Sequence, residues 1–201
     1  MSTRKAQREA TRERVLSAAE RLFTARGFGS TTVREIAADA SVSVGTVMAV
    51  GDKAAILVEL FDRRVAALHA ARAPMDEPGR AATPPGPLTD ELLAVFEPFL
   101  ALFYSDVDLA RQYAATLVTG KYRAAVFTEL AAVLRREIGE VLMRAGFPPE
   151  AAARGATTLH LAHLGSLFIS AGTGARDPSK PVEDLISVVE FLTENQGRDQ
   201  L

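Results

Sequence analysis

Residues 30–53, Ser-Thr-Thr-Val-Arg-Glu-Ile-Ala-Ala-Asp-Ala-Ser-Val-Ser-Val-Gly-Thr-Val-Met-Ala-Val-Gly-Asp-Lys, leave this chain few ways to fold. Thr32 and Glu35 stand three apart, the spacing of a capping box, and predict a helix start. Val33, Ile36, Ala37 and Ala40 then recur at helical spacing and share one face. Ser41 and Ser43 flank Val42, and Ser43 can cap a second short helix. Apolar periodicity makes Val44 and Val47 the buried positions of that second helix. Gly51-Asp52 ends it, and Lys53 opens another. Two short helices joined by a small-residue turn can cross closely, as a helix-turn-helix requires.

The flanks supply what those helices need to pack on. Val15, Leu16, Ala19, Leu22 and Phe23 stripe an amphipathic helix, with Gly27 as its C-cap and Phe28 as the apolar contact after it. Three helices around one small core are the minimum for such a module. Ahead of them lie Arg4, Lys5, Arg8, Arg12 and Arg14 against only Glu9 and Glu13. Residues 1–10 are expected to be a basic arm, able to add phosphate or minor-groove contacts. After Lys53, capped by Asp52, the stripe Ile56, Leu57, Leu60, Phe61, Val65 and Leu68 carries a connecting helix to residue 72. The prolines and glycines of 73–87 form a linker loop. The expected organisation is a head at 1–52, a connecting helix at 53–72 and a larger domain at 73–201.

That larger domain reads as helical throughout. Leu92, Phe96, Phe99, Leu100 and Phe103 share a face, with Pro98 inside it predicting a kink or break. Leu109, Tyr113, Thr116 and Leu117 mark a shorter helix ending near Gly120. Phe127, Leu130, Val133, Leu134, Ile138, Val141 and Leu142 mark a longer one ended by Gly146. Pro148 and Pro149 suit the start of a helix at 150–171 that is apolar nearly all round, so it should be buried on more than one side. A partner subunit is its natural cover. Val182, Leu185, Ile186, Val189 and Leu192 stripe a last helix. No strand pattern or internal repeat is visible, so the fold class is all-α.

Charge divides along the same line. Residues 1–72 carry 12 Lys/Arg and 8 Asp/Glu, whereas 73–201 carry 11 and 17. A basic head on an acidic body points to a polyanionic partner for the head alone. Cysteine is absent, which removes disulfides and Cys-based zinc sites and fits a reducing compartment. No secretory signal or membrane span is visible, so a cytoplasmic protein with no membrane partner is expected.

At this point the residues resemble a known family. Thr11-Arg-Glu-Arg-Val-Leu-Ser-Ala-Ala-Glu-Arg-Leu-Phe, Gly27-Phe-Gly-Ser-Thr-Thr-Val-Arg-Glu-Ile-Ala, Val42-Ser-Val-Gly-Thr-Val and the helix-opening Lys53 look like the DNA-binding domain of TetR-family transcriptional regulators. The resemblance implies a three-helix DNA-binding head on a larger helical domain for ligand binding and dimerisation. It implies a homodimer on a pseudo-palindromic double-stranded operator, mostly repressing, and released by a small-molecule effector in the C-terminal domain. The second helix of the motif would read DNA, with Val44, Thr46, Met48 and Ala49 exposed and Gly45 allowing close approach. Thr32 and Lys53 match phosphate-holding positions, and Arg4, Lys5, Arg34 and Ser43 complete the DNA-binding set. Three departures stand out. Ser41 replaces the usual turn glycine, and is tolerable only where the backbone is not left-handed. Met48, Ala49 and Val50 replace the usual aromatic and imidazole phosphate anchors. The gap from Thr46 to Lys53 is also one residue short. The reading surface has no Arg, Asn or Gln for bidentate base contacts, leaving Thr hydrogen bonds, thymine-methyl contacts and DNA shape.

For the larger domain, Phe96, Phe99, Leu100, Phe103, Tyr113, Phe127, Met143, His160 and His163 are expected to line a mostly apolar cavity with a few polar handles. Leu161, Leu164, Phe168, Leu185 and Val189 are expected at the dimer interface, in a four-helix bundle. His160 and His163 have a metal-capable spacing but lack a clear third ligand, so no metal or other cofactor is expected. Asp106 and Asp108 read as helix caps rather than a catalytic pair, and no enzyme signature is present. The alternative to a regulator is a small-molecule- or partner-binding protein whose DNA head is degenerate.

Overall fold

The computed structural model describes residues 3–72, 86–125 and 128–196. Among them stand nine α-helices and no strand: α1 (Thr3–Arg26), α2 (Val33–Asp39), α3 (Val44–Val50), α4 (Lys53–Arg72), α5 (Leu88–Ser105), α6 (Val107–Val118), α7 (Glu129–Arg144), α8 (Pro149–Thr173) and α9 (Ser179–Gln196). Two compact units divide the chain. The first comprises Met1–Arg63 with Asp108–Ala124, and the second Arg64–Val107 with Ala125–Leu201.

The core of the first unit is built from stripes visible in the sequence. Val15, Leu16, Ala19 and Phe23 of α1, Ile36 and Ala37 of α2, Val47 of α3, and Ile56, Leu57, Leu60 and Phe61 of α4 are all buried. α6 joins them, although it follows α4 by more than thirty residues. Its Leu109, Ala110, Tyr113 and Ala114 are buried, the Tyr113 ring stacks on Phe61 at 4.3 Å, and its hydroxyl donates to Asp62 at 3.2 Å. Desolvation holds the Tyr113 phenol protonated, its pKa raised above the ordinary tyrosine value.

The basic arm takes another form. α1 begins at Thr3, so Arg4, Lys5 and Arg8 lie on a helix. The reason is local: residues 4–10 contain no Gly or Pro and are mostly good helix formers, so nothing interrupts a helix that the core anchors downstream.

The turn between α2 and α3 is closed by backbone. Val42 N–H donates to Ala37 O at 2.9 Å and Ser41 N–H to Ala38 O at 3.1 Å, the paired bonds of a Schellman ending. Ser41 therefore sits at the left-handed position, with φ +53°. The condition on which serine would be unstrained is not met here. Val44 also departs from the periodicity, since it is 43% exposed while Val47 is fully buried. A seven-residue helix turns few positions inward, and a valine left at its surface costs little.

The second unit packs α8 against α7 and α9, with α5 on α7 and α9. Leu92, Phe96, Phe99, Ile138, Leu142, Leu159, Leu185 and Val189 are among its core. Small residues let α7 and α8 approach: a Cβ on Gly155 would come within 2.9 Å of Leu142 Cδ1. α5 runs through Pro98 as one helix, so of the expected kink or break the break does not occur. Leu92, Val95 and Phe96 anchor it on one side of the proline and Phe99, Leu100 and Phe103 on the other. Burial at roughly 1.5–3 kcal/mol per large apolar side chain outweighs an interior proline at about 3 kcal/mol. α8 ends at Gly174, which takes φ +74°. No described helix is long and apolar enough to cross a membrane.

The left-handed turn gives a direct test. Ser41→Gly removes the Cβ clash while keeping both Schellman bonds, and should stabilise the protein by about 1 kcal/mol in urea unfolding. An unchanged or lowered midpoint would show that the serine is not strained.

Candidate nucleic-acid interface

The N-terminal turns of α1 and the exposed face of α3 enclose an open groove of about 1210 Å³, lined by Arg4, Lys5, Arg8, Arg12, Ser43, Gly45, Thr46 and Ala49 among others. Four cations line it against one acid, Glu9. Arg12 is bound to Glu59 of α4. Arg4, Lys5 and Arg8 are exposed and have no carboxylate partner among the described residues. Such a concave cationic surface beside a helix-turn-helix suits a phosphate backbone.

Two caps set the pose of α2 and α3. Thr32 Oγ1 accepts from Glu35 N–H at 3.2 Å while Glu35 Oε2 accepts from Thr32 N–H at 2.8 Å, a complete capping box. The Thr32 backbone N–H holds the Glu35 carboxyl below its ordinary pKa. Arg26 and Arg21 of α1 pair with Glu35 at 3.0 Å and Asp39 at 2.6 Å, tying α2 to α1. Ser43 Oγ accepts from Thr46 N–H at 3.1 Å and lies 2.8 Å from Thr46 Oγ1. With one hydroxyl donating to the other, the pair keeps one outward O–H donor and spare lone pairs. Around it, Val44, Gly45, Met48 and Ala49 are exposed, as is Arg34 on α2.

Lys53 has a different placement from the phosphate contact the resemblance implies. Its Nζ donates to Phe28 O and Thr31 O, both at 2.8 Å, and lies 4.2 Å over the Phe28 ring. Partial burial lowers its pKa from the ordinary lysine value. The loop from α1 to α2 presents carbonyl oxygens inward, and the ammonium satisfies them. Its neighbour Asp52 accepts from Ala55 N–H at 2.8 Å as the cap of α4, and also binds Tyr122 Oη at 2.7 Å and Lys121 Nζ at 3.2 Å. These bonds, the Ala55 N–H first, hold its carboxyl below the usual aspartate pKa. Sequence spacing gave no sign of the Tyr122 and Lys121 contacts, because the partners lie about seventy residues apart.

The residues expected at a ligand cavity fall into three groups. Phe96, Phe99, Leu100, Phe103, His160 and His163 are buried in the second unit. Tyr113 lies instead in the first unit, engaged with Phe61 and Asp62, and Met143 is half exposed on α7. Phe127 lies outside the described residues. The Phe96 ring lies 4.8 Å from His163, and His69 lies 5.0 Å from Phe99 with its Nδ1 3.3 Å from Glu137 Oε1. His69 and Glu137 were missed in the sequence; the available signal was that His69 continues the stripe from Val65 at i, i+4. Among the described residues no group of three His, Cys, Asp or Glu is placed to hold a metal.

The expected interface residues also divide. Leu185 and Val189 are buried in their own chain's core, because α9 turns that face onto α5 and α8. Leu164 and Phe168 are half-buried, whereas Leu161 is 61% exposed. Ile169 on α8 and Phe191 on α9, absent from the sequence expectation, are exposed to a similar degree.

The placement of Lys53 predicts a stability role. Lys53→Met keeps the apolar stem and removes the ammonium, leaving two loop carbonyls without their donor. It should cost about 2 kcal/mol in urea unfolding; a drop below about 0.5 kcal/mol would mean that the two bonds contribute nothing net.

Residues 15–49 match the family model described as bacterial regulatory proteins, tetR family. No curated protein sequence matches the chain. Among solved structures, Thermus thermophilus FadR, a TetR-family transcriptional repressor in complex with lauroyl-CoA, is similar at TM-score 0.64 and 24% identity, covering 91% of this chain and 93% of that one. A TetR transcriptional regulator from Rhodococcus sp. RHA1 is similar at TM-score 0.61 and 16% identity, covering 92% and 97%. One from Legionella pneumophila is similar at 0.53 and 15%, covering 97% of each chain. Residues 15–49 thus match a tetR-type DNA-binding segment, and the chain around them has the fold of these solved TetR-family regulators.

Proposed function

We infer that this protein is a ligand-responsive DNA-binding regulator, a repressor that grips a pseudo-palindromic operator as a homodimer. The observation that carries the reading is the groove in which Arg4, Lys5 and Arg8 face the exposed edge of α3. The reading helix lacks aromatic phosphate anchors, and these three cations offer phosphate contacts in their place. Thr46, coupled to Ser43, and the apolar Val44, Met48 and Ala49 are the base-facing set, suited to thymine methyls and to DNA shape. Lys53 acts by holding the head together rather than by touching DNA.

Dimerisation runs through the exposed apolar side chains of α8 and α9, namely Leu161, Ile169 and Phe191. Two reading helices related by a two-fold axis then match half-sites about 34–36 Å apart. The effector is a small, mostly apolar molecule held in the second unit near Phe96, Phe99 and His163. It relieves repression by favouring a state of the dimer that does not fit the operator. The lauroyl-CoA complex of Thermus FadR, which has the same fold, supports an apolar effector.

A mobility shift with DNA from the protein's own promoter region tests this reading. Wild type should give a salt-sensitive shift that needs both half-sites. The double variant Leu161→Glu, Ile169→Glu should be monomeric by light scattering and lose at least tenfold in affinity for the two-half-site DNA. A shift indifferent to the second half-site, or a double variant that stays dimeric, would overturn it.

A further inference from the structure

The buried face of α8 changes character along its length. Ala152, Gly155, Ala156 and Leu159 come first, and then His160, His163, Ser166 and Ser170, all buried. Ser166 donates to Asp184 of α9 at 2.5 Å. The histidines have no such arrangement: Nδ1 of His160 and Nδ1 of His163 are buried without a hydrogen-bond partner among the described residues. The surroundings of His163 are aromatic. His163 lies 4.8 Å from the Phe96 ring and 6.4 Å from Phe99, and Phe99 packs in turn on His69. Two of the chain's three histidines, His69 and His163, thus gather about these two phenylalanines.

Two buried ring nitrogens without partners are costly, because each forgoes its bonds to water. Folded proteins rarely leave such groups unmatched, and those that remain need an explanation. Here the orphaned atoms sit on a polar stretch of α8, where a ligand could present a complementary group. The charge state of the rings limits what that group can be. Burial lowers His163 to about 3 and His160 to about 4, so both imidazoles are uncharged at neutral pH. His160 lowers His163 further, and Arg135 of α7 lowers His160. Glu137 of α7 is engaged with His69 at 3.3 Å. At His163, the more deeply buried ring, the site therefore offers an uncharged imidazole beside the phenyl rings of Phe96 and Phe99.

We propose that the effector of this protein is an uncharged, mostly apolar molecule carrying a hydroxyl or carbonyl, whose polar atom hydrogen-bonds His163 while its apolar body lies against Phe96 and Phe99. This rests on the reading of the second unit as the effector site and assigns the class of effector. A carboxylate or phosphate head is excluded from this position. An anion loses its hydration there and finds only uncharged ring nitrogens in its place. A hydroxyl or carbonyl loses far less and regains a bond from His163.

Three probes with one tail separate the possibilities by calorimetry: heptylbenzene, 4-heptylphenol and 4-heptylbenzoate. The phenol should bind about tenfold more tightly than the hydrocarbon, the worth of one recovered hydrogen bond, and the benzoate more weakly than the phenol by at least as much. His163→Phe should bring the phenol to the level of the hydrocarbon and leave the hydrocarbon itself unchanged. His163→Gln, read beside it in case either variant fails to fold, keeps a neutral donor and should retain part of the preference. A benzoate that binds as tightly as the phenol overturns the assignment, as does a phenol preference that survives in both variants. Binding of none of the three would instead remove the apolar effector reading on which it stands.

Discussion

The head depends on what holds helices too short to hold themselves. α2 and α3 have seven residues each, below the length at which a helix persists in water. Their pose is set from outside, and Lys53 is central to it. Its ammonium joins the carbonyls of Phe28 and Thr31, immediately before the Thr32 capping box, to the first residue of α4. The chain from Thr31 to Lys53 is thereby closed at both ends by one side chain. Val47 then needs only to fall into the core for α3 to present a fixed face. Asp52 extends the same support to residues 121 and 122, so the end of the reading helix is fastened on two sides. This explains how α3 can be a residue short of its relatives' spacing and still be presented as an ordered helix.

Local physics was the part legible in the sequence. The Thr32–Glu35 box, the Ser43 and Asp52 caps, the Gly27 ending and the apolar stripes of α1, α4, α5 and α7 depend on neighbours within a few residues. What escaped depends on partners far along the chain. Nothing near Lys53 says that its ammonium will meet carbonyls more than twenty residues upstream rather than a phosphate. Nothing near Tyr113 says that it will stack on Phe61 in the first unit. Leu185 and Val189 show the same limit in reverse. An apolar stripe reveals that a face is buried but not whether its own chain or another copy buries it. The α1 arm failed for a simpler reason, since a run of cations reads as a tail although those same residues favour helix.

The two units place their polar groups differently. In the first, four polar side chains on the core's edge are paired, Thr31 to Gly27 O, Arg12 to Glu59, Arg63 to Glu13 and Tyr113 to Asp62, while Arg111 Nε is buried without a partner among the described residues. In the second, α8 carries two buried imidazoles whose Nδ1 atoms have no partner among the described residues. The capped and cross-braced helices of the head suit a rigid reading surface, and buried imidazoles with unmatched nitrogens suit a site that gains from what enters it. The division of labour proposed for this protein follows from that contrast.

Because the proposed grip rests on cations of α1 rather than on α3, the dependence of DNA affinity on salt is the most direct measurement. Double-stranded promoter DNA should be bound with a steep fall of log affinity against log salt between roughly 50 and 200 mM, a window in which phosphate neutralisation dominates. Replacing Arg4 and Arg8 together by alanine should flatten that slope by about 1.8 per protomer, roughly 0.9 for each phosphate left without its cation. A slope unchanged by the double replacement would contradict the account, since the groove beside α3 would then not be where the phosphates lie.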